Sequence, residues 1–578
     1  MPQTLDLTNG LAVPATEPST FPKSPLLPMN TPEADPWIFR DGRTNISGAA
    51  LSRGIRLSLS SSDDDSIADA LIQAGELEAG ISDAGLPATE AAQLTDVLAT
   101  ALCVGEPRYV EEAQQLLEQL RVPEQVSVSP PEGFTYYALH PLDFHRVSVE
   151  LTSQSRSFAI VGIRSIGTTL SAVVAAFLKQ QHRPASRITV RPEGHPYSRK
   201  MEFHQQEEHW LRERNAEDAH FVIVDEGPGR SGSTFLSVAE ALLRLGIPRE
   251  RITLLGSRWP DPSSLLASQA AHRWSQFRFL AAFSSVTPRF ERDQYAGGGY
   301  WRNLFLGPDQ AWPESWSQME RLKFVSADRR TLFKFEGIGR IGAQVRERAF
   351  MLAEAGFTPA VSSAGAGFLA YELLPGPILN AKNLSSNLLD FMAEYCTFRT
   401  RNFSADIRDE SQLRQMLEFN VPNEFGCEVI LPNEIFSTPN PVFVDGRMQP
   451  YEWVSNGRDK FLKTDAISHG DDHFFPGPCD IVWDFAGIAV EWQLGRQELA
   501  TLIEKFERLS GMTNIQQRLS AYMLAYSVFR LGFSRMACES ISDYSEQVRF
   551  RSAYVRYRGI AEELLRRDFR TRSIQSTS

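Results

Sequence analysis

Between about residue 128 and residue 285, short apolar runs alternate with segments that have the apolar spacing of a helix. Three of these runs, Ser157–Ile163, His220–Val224 and Ile252–Leu255, have the length and composition of buried strands. A helix between two such strands carries the chain back across the sheet, so that the strands pair in parallel. The region therefore predicts an α/β domain with a mostly parallel sheet.

The composition excludes several classes of protein. The chain has 578 residues, which predicts more than one domain, and its formal net charge of -12 makes nucleic acid an unexpected partner. The longest apolar runs are too short to span a membrane, and no signal segment begins the chain, so we expect a cytoplasmic protein without a membrane partner. The sequence is compatible with a homodimer but does not fix the oligomeric state.

The run from Phe221 to Thr234 carries the strongest chemical signal. A buried strand ends in Asp225 and Glu226, a loop rich in Gly and Ser follows, and a helix begins directly after the loop. Backbone N–H groups at such a helix start bind phosphate, and carboxylates at the strand end accept hydrogen bonds from the hydroxyls of a sugar. Ligands of open α/β sheets bind at this edge, so one loop can hold both ends of a phosphorylated sugar.

This arrangement resembles the 5-phosphoribosyl diphosphate (PRPP) motif of type I phosphoribosyltransferases, and the turn Val161–Thr168 resembles the family's pyrophosphate-binding turn. The resemblance implies a glycosyltransferase that uses PRPP and Mg²⁺ and moves phosphoribose to an unidentified small-molecule acceptor. Asp225 and Glu226 would be its catalytic acidic pair. The residues implied to bind PRPP are Arg164, Ser165, Gly167, Lys200, Gly229, Arg230, Ser231, Gly232, Ser233 and Thr234, with Arg191 and Arg199 as further candidates on a mobile flap.

Two alternatives stay open at this site. Arg230 stands where purine-salvage members of the family carry an Asp that handles the base proton, which favours a PRPP or nucleotide sensor without catalysis as one alternative. A Rossmann-like turn whose acidic residues only cap the helix is the other.

A second signal begins at Thr331–Gly337, where Lys334 lies in an otherwise apolar strand. A buried Lys needs a partner, and Glu347 on the following predicted helix is a suitable one. The strand-like run Gly367–Leu373 then ends in Leu-Pro-Gly. This order resembles the small lobe of aminoglycoside-phosphotransferase-like and protein kinases, and it implies ATP as a ligand with Lys334 and Glu347 as nucleotide-binding residues.

The catalytic motifs of such a kinase can be aligned with the following sequence in two registers. In the favoured register, Asp445 is the catalytic residue of a loop that begins Asp-Gly-Arg, and Glu452 and Asp465 are metal ligands. In the other, Asp471 in His-Gly-Asp belongs to the catalytic loop and Asp484 is the metal ligand. The spacing and an Asn-Gly turn favour the first register. Both registers depart from the family pattern, so loss of phosphotransfer, a Zn or Mn site at 469–473, and a hydrogen-bonded loop over the cleft stay open as alternatives.

We therefore expect an α/β plus α+β protein in which a phosphoribosyltransferase-like domain is joined to a bilobal kinase-like domain. The kinase-like part would phosphorylate the same small molecule or regulate its transfer; an ATP-dependent small-molecule kinase with a binding-only first domain is the alternative. The predicted segments are a flexible arm (1–45), a helical segment (46–127), the phosphoribosyltransferase-like domain (128–290), a linker (291–320), the small lobe (321–378), the helical large lobe (379–565) and a tail (566–578).

Overall fold

The computed structural model describes most of the chain from residue 43 onward. The described residues are 43–573, without 62, 154, 196, 230, 285, 291, 308–310, 375, 406–410, 456, 458–459, 471, 473 and 476. Most of the predicted N-terminal arm therefore lies outside the described residues. Within them, no helix combines the length and the apolar character needed to cross a membrane.

The first described segment is mainly helical, as the sequence predicts for 46–127. Strand β1 (Thr44–Ser47) pairs antiparallel with β2 (Gln125–Val128), so the two ends of the segment meet, and the predicted arm ends at residue 43 or before. Helix α2 is buried along most of its length because α1 and α3 pack against it. The helices are α1 (Gly48–Ser58), α2 (Asp64–Asp83), α3 (Thr89–Val104) and α4 (Pro107–Gln119).

The predicted parallel sheet is present, with five strands and only parallel pairings. Two short helices, α5 (Glu132–Thr135) and α6 (Pro141–Val147), precede it. The strands are β3 (Phe158–Ile163), β4 (Ala185–Val190), β5 (His220–Val224), β6 (Ile252–Gly256) and β7 (Arg278–Ala281), in the order β4-β3-β5-β6-β7. The helices that cover its two faces are α7 (Ile166–Gln180) on one side and α8 (Gln205–Ala216), α9 (Ser233–Arg244) and α10 (Ala270–Trp274) on the other.

The two loops that the sequence singles out are neighbours at the carboxyl edge of this sheet. The chain leaves β3 toward β4 on one side and leaves β5 toward β6 on the other, so the strand order reverses between β3 and β5. Loops that leave in opposite directions open a crevice, which is where open α/β sheets bind ligands. Here the loops touch, because a Cβ atom added to Gly167 would lie 2.5 Å from the Val224 carbonyl oxygen. Only glycine fits at that position.

A second sheet, entirely antiparallel, follows the first. Its strands are β8 (Gln294–Tyr295), β9 (Lys323–Val325), β10 (Thr331–Phe335), β11 (Val361–Gly365) and β12 (Phe368–Glu372), in the order β11-β12-β10-β9-β8. Helix α11 (Trp301–Phe305) lies between β8 and β9, and α12 (Gly339–Glu354) follows β10. The predicted linker 291–320 therefore contains an edge strand and a helix. A two-residue strand leaves no apolar pattern in the sequence, which is why the Gly-rich stretch suggested a boundary.

The remainder is a helical lobe built around a pair of long antiparallel helices. Its helices are α13 (Ser386–Asn402), α14 (Ser411–Phe425), α15 (Val482–Glu491), α16 (Arg496–Ser510), α17 (Ile515–Ser540) and α18 (Tyr544–Asp568). Its strands form two small pairs, β13 (Cys427–Ile430) with β16 (Arg570–Ser573) and β14 (Trp453–Ser455) with β15 (Phe461–Lys463). The predicted tail from residue 566 therefore begins as helix and continues as a paired strand.

Residues 296–320, here called the strap, tie the antiparallel sheet to the helical lobe. Arg302 lies 2.6 Å from Glu546 on α18, and Glu314 lies 3.0 Å from Arg530 on α17. These side chains are largely buried, and a buried charge without its partner is costly. The ion pairs therefore hold the strap against the helical lobe.

Helix α2 holds the antiparallel sheet against the rest of the molecule. Asp69 accepts hydrogen bonds from the Gly339 backbone N–H and from Arg346 at 2.7 Å, and Glu76 lies 3.3 Å from Arg340. Burial raises the pKa of Asp69, and Arg346 opposes that effect. The carboxylate of Asp69 thus depends on its partners on α12 to stay charged in the interface.

Replacing Asp69 by Ala should destabilise the protein by about 3 kcal/mol, because the Arg346 charge and the Gly339 N–H would lose their partner. The midpoint of chemical denaturation, followed by circular dichroism, measures this effect. Asp64→Ala is the matched control, since Asp64 is exposed in the first turn of the same helix and should contribute only about 0.5 kcal/mol. Equal effects of the two substitutions would show that this interface does not stabilise the fold.

Candidate functional site

The acidic pair lies where the sequence predicts it, directly after β5 at the crevice of the parallel sheet. Asp225 and Glu226 are half-buried. The Glu226 N–H donates to Asp225 Oδ1 at 2.8 Å, and the Gly133 N–H on α5 donates to Glu226 Oε2 at 3.1 Å. Burial raises the pKa of Asp225 to about 8 and that of Glu226 to about 7.

Glu132 is a third acidic residue at this crevice, and the sequence analysis missed it. Its side chain is exposed, yet the surrounding protein raises its pKa to about 7 and its charge raises the pKa of both Asp225 and Glu226. Glu132 is far from the acidic pair in sequence, so no spacing pattern could have identified it. Three carboxyl groups with raised pKa values suit a ligand that offers hydroxyl groups or a positive charge.

The predicted phosphate loop is less open than the sequence suggested. Ser231 and Ser233 are buried, and their Oγ atoms lie 3.0 Å apart and bond to each other. A Cβ atom added to Gly232 would lie 2.5 Å from Trp274 Nε1 at the end of α10 and 2.8 Å from Leu265 Cδ1, so α10 and the segment that leads into it pack directly on the loop. These hydroxyls therefore face inward in this conformation and do not offer donors to a phosphate in the crevice.

Part of the loop remains accessible. Gly229 is exposed with φ +58°, and Thr234 is half-buried at the start of α9. Arg230 lies outside the described residues. A phosphate would meet the outer turn around Gly229 rather than the whole predicted cradle.

The arginines that were predicted to bind pyrophosphate already form ion pairs with acidic residues of the protein. Arg164 lies 3.2 Å from Asp83 and 3.3 Å from Glu207, and Arg191 also pairs with Asp83. Ser165 has φ +98°, a strained conformation for a residue with a side chain. Asp83, at the end of α2, therefore neutralises both arginines where a pyrophosphate would need them.

Lys200 lies away from the predicted phosphate loop. It is exposed and lines a groove of about 480 Å³ together with Arg199 and with Arg244, the last residue of α9. The predicted phosphate loop stands at the other end of that helix. The described structure does not bring Lys200 to the acidic pair.

The second site, here called the cleft, is the interface between the antiparallel sheet and the helical lobe. Lys334 Nζ lies 2.7 Å from Asp465 Oδ1, 3.0 Å from Glu336 Oε1 and 2.6 Å from Ser468 Oγ. Burial opposes the charge of Lys334, but Asp465 and Glu336 more than offset it, so its pKa is raised. Burial alone would raise the pKa of Asp465, but Lys334 holds it well below its usual range.

Glu347, the predicted partner of Lys334, is exposed on α12, so this prediction was wrong. Glu336 takes the role instead. It follows Lys334 by two residues, and alternate residues of a strand share a face. That spacing was available in the sequence, whereas the rotation of α12 about its axis was not.

The β14–β15 hairpin brings the predicted metal ligands together, because Glu452 directly precedes the hairpin and Asp465 follows it. Glu452 Oε2 lies 2.8 Å from Lys463 Nζ, and His469 Nε2 lies 3.8 Å from an oxygen of Glu452 and of Asp465. Ligand atoms of Asp445, Glu452 and His469 lie within 4.8 Å of one another. Oxygen donors on Glu452 and Asp465 are of the kind that Mg²⁺ prefers.

Two other predicted acids lie behind the cleft. Asp445 is fully buried and accepts a hydrogen bond from Tyr395 Oη, so its carboxylate is not exposed, and its catalytic role stays a prediction. Asp484 is also fully buried and accepts from the N–H groups of Asp445 and Gly446 at 2.9 and 3.0 Å, so both of its oxygens support the loop, and its role as a metal ligand stays a prediction. Asp471 lies outside the described residues. Sequence spacing does not tell which acids face the cleft and which support its loop.

Arg447 is the residue that the sequence analysis left without a role. Its Nε lies 3.1 Å from Glu452 Oε1, and its Nη2 donates to Tyr451 Oη. A guanidinium group therefore lies directly beside the predicted metal ligand Glu452.

The two sites are joined by residues 132–137. The Gly133 N–H binds Glu226 at the crevice, while carbonyl groups of the same segment accept from Ile338 at 3.0 Å and from Arg321 at 2.8 Å. Tyr137, at the end of the segment, has a raised pKa because of its burial and of the nearby charges of Glu132, Glu226 and Asp472. The crevice and the cleft therefore lie on either side of one short segment.

Comparisons with known proteins give limited information. No protein-family model matches the sequence, and no curated protein matches it. Similar solved structures include choline kinase LicA from Streptococcus pneumoniae, with 11% identity and a TM-score of 0.29 over 42% of this chain and 89% of that chain. A choline/ethanolamine kinase family protein from Mesorhizobium loti has 13% identity and a TM-score of 0.30 over 43% of this chain and 86% of that chain.

A third similar structure is the GDP complex of wild-type aminoglycoside 2'-phosphotransferase-IIIa, with 11% identity and a TM-score of 0.28 over 44% of this chain and 91% of that chain. All three are kinases or phosphotransferases, and they give no support to the phosphoribosyltransferase resemblance. Similarity of this size carries no conclusion about the activity of this chain.

The raised pKa values at the crevice predict a dependence of stability on pH. In the folded state Asp225 and Glu226 stay protonated up to about pH 8 and 7, whereas their usual pKa values are 3.8 and 4.5. Between the usual and the raised pKa values, the folded state therefore binds more protons than the unfolded state. The free energy of unfolding consequently decreases as the pH rises through this range. The double variant Asp225→Asn plus Glu226→Gln should not show this decrease in stability. At pH 8 it should be more stable than the wild type by about 1–3 kcal/mol, a range that allows for the partial exposure of the two side chains.

The midpoint of thermal unfolding at pH 5 and at pH 8 measures the difference between the two proteins. At pH 5 the folded forms carry the same charge at these positions, so that comparison is the internal control. An identical pH dependence in both proteins would contradict the raised pKa values.

Proposed function

We propose that the cleft between the antiparallel sheet and the helical lobe binds a magnesium–nucleoside triphosphate and transfers its terminal phosphoryl group to a small molecule. The observation that carries this proposal is the contact of Lys334, on the sheet, with Asp465, on the lobe, at 2.7 Å. A Lys for the phosphates and an Asp for the metal, on opposite walls of one cleft, are the parts that phosphoryl transfer requires.

The residues of the cleft fit a magnesium ion and its nucleotide. Glu452 and Asp465 would hold Mg²⁺, which would neutralise charge on the phosphates when bound. Glu336 Oε1 accepts a hydrogen bond from Tyr371 Oη at 2.8 Å and lies 3.0 Å from Lys334 Nζ, whereas its Oε2 is buried without a hydrogen-bond partner in the described part of the chain. Lys334 would contact the phosphates, and Glu336 would keep its ammonium group in place.

Glu336, rather than Glu347, should then govern nucleotide use. Lys334→Ala and Asp465→Asn should each lower the rate of ADP formation from MgATP by about 100-fold or more, because phosphoryl transfer depends on charge placed at the phosphates. Glu336→Gln should cause a smaller loss, and Glu347→Gln should have no effect, since Glu347 faces solvent. Calorimetric titration with MgATP and an ADP-release assay measure binding and turnover.

Two results would contradict the proposal. One is that the wild-type protein does not bind MgATP. The other is that the Asp465→Asn protein folds, binds MgATP and forms ADP like the wild type.

A second candidate function is the binding of PRPP at the crevice of the parallel sheet. Its support is the position of Asp225 and Glu226 beside the Gly167 turn at the point where the strand order reverses. The buried hydroxyls of Ser231 and Ser233 are an observation against it. Binding of PRPP would require the segment that covers this loop to move, and phosphoribosyl transfer would require an acceptor in the same crevice.

If the crevice binds PRPP, titration of the wild type with PRPP and Mg²⁺ should give heat, and Asp225→Asn plus Glu226→Gln should weaken binding by about tenfold or more. Ribose 5-phosphate is the matched control ligand, since it lacks the pyrophosphate that Arg164 and Arg191 would contact. Binding of PRPP that is unchanged in the double variant would place the ligand elsewhere. Pyrophosphate release with a nucleobase panel would separate transfer from sensing.

A further inference from the structure

We infer that the phosphoryl acceptor in the cleft is an anionic oxygen, carried by a carboxylate or a phosphate group, and that Arg447 binds it. This inference rests on the proposed phosphotransfer and adds the substrate class. It follows from the position of Arg447, a cation in contact with Glu452, which the proposed function assigns to the metal.

Arg447 is held in one orientation beside the metal-binding acids. Its backbone N–H donates to Asp445 Oδ1 at 3.2 Å, its Nε lies 3.1 Å from Glu452, and its Nη2 donates to Tyr451 Oη. The ring of Tyr451 stacks on Trp301 of the strap with 5.8 Å between ring centroids. The contacts on both sides fix the guanidinium before any ligand arrives, which lowers the entropic cost of binding.

One edge of this guanidinium remains available. Within the described residues, Nη1 of Arg447 makes no hydrogen bond, although the residue is about three-quarters buried, with 24% of its side chain exposed. A guanidinium presents paired N–H groups that match the two oxygens of a carboxylate or phosphate. The free edge, next to Glu452, is therefore suited to an anionic acceptor at the metal.

The acids near Arg447 have other roles. Asp445 is fully buried and accepts a hydrogen bond from Tyr395 Oη, and its Oδ1 lies 3.5 Å from Lys463 Nζ. Glu452 is paired with Lys463 and Arg447 and is assigned to the metal. None of the described acids in contact with Arg447 is thus placed to take a proton from a hydroxyl group.

An anionic acceptor needs no such base. A hydroxyl has to lose a proton as it attacks, whereas a carboxylate, with a pKa near 4, or a phosphate, with a second pKa near 6, is already ionised at neutral pH. The acceptor oxygen forms a bond to the terminal phosphorus, the bond from that phosphorus to the bridging oxygen breaks, and its electron pair leaves with the nucleoside diphosphate. No proton is released in this step. Arg447 offsets the repulsion between the acceptor and the triphosphate.

The test compares small probes of two kinds in the full-length protein with MgATP. Acetate and inorganic phosphate are the anionic probes, and ethanol and glycerol are the neutral ones. ADP release measures stimulation, and hydroxylamine traps an acyl phosphate but leaves a phosphate ester intact. We expect acetate or inorganic phosphate to stimulate ADP release several-fold, with a hydroxylamine-reactive product from acetate or pyrophosphate from inorganic phosphate.

The role of Arg447 is tested by two variants and a control. Arg447→Ala should raise the KM of the anionic probe by about tenfold or more, and by more than the KM of MgATP, and Arg447→Lys should keep part of the binding. Arg329→Ala, which removes an exposed arginine in the turn between β9 and β10, should change neither value. Circular dichroism of the variants shows that they are folded.

The outcomes separate this inference from the proposed function. Stimulation by alcohols with a hydroxylamine-stable ester, stimulation by anions that persists in Arg447→Ala, or MgATP binding without stimulation by either anion would each overturn it. If the wild type does not bind MgATP at all, the proposed function itself fails. Stimulation by an anion that depends on Arg447 would establish the substrate class.

Discussion

The ion pair between Lys334 and Asp465 connects the two walls of the cleft, and both side chains are largely withdrawn from water. Burying an isolated charge is far more costly than burying a pair, so each wall stabilises the charge of the other. The same constraint appears at the other contacts between modules. Arg302 with Glu546 ties the strap to α18, and Asp69 with Arg346 ties α2 to α12. Buried charges that need partners thus fix how the antiparallel sheet sits relative to the rest of the molecule.

Much of the architecture could be predicted from the sequence because it depends on local pattern. The buried strands of the parallel sheet are continuous apolar runs, and the acidic pair at the end of β5 follows directly from one of them. The β14–β15 hairpin and the approach of Glu452 to Asp465 also follow from spacing along the chain. Features of this kind need no knowledge of which distant segments pack together.

The remaining features depend on packing between distant segments. The partner of Lys334 was assigned to α12, but the rotation of that helix turns Glu347 to solvent and leaves Glu336 as the partner. The loop before α9 reads as open in sequence, yet Trp274 packs on Gly232 and its serines face inward. Asp445 was predicted to be catalytic, but its side chain is buried and accepts a hydrogen bond from Tyr395 on α13. In each case the packing of whole elements, which the local pattern does not record, determines the surroundings of a residue that the sequence identified.

The two sites differ in the sign of the charge that they offer to a ligand. At the crevice, burial raises the pKa values of Glu132, Asp225 and Glu226, and the charge of Glu132 raises those of Asp225 and Glu226 further, so the site disfavours an anion. In the cleft, Lys334 and Arg447 are the cations that the proposals assign to the nucleotide phosphates and to the acceptor. A phosphorylated sugar would therefore be oriented with its hydroxyl groups toward the crevice acids and its phosphate away from them. Residues 132–137 separate the crevice from the cleft. The phosphate of such a ligand would therefore lie at the accessible turn around Gly229, and this position requires the segment before α10 to move. The charge pattern thus sets a stricter condition on phosphate binding at the crevice than in the cleft, where Lys334 and Arg447 supply positive charge.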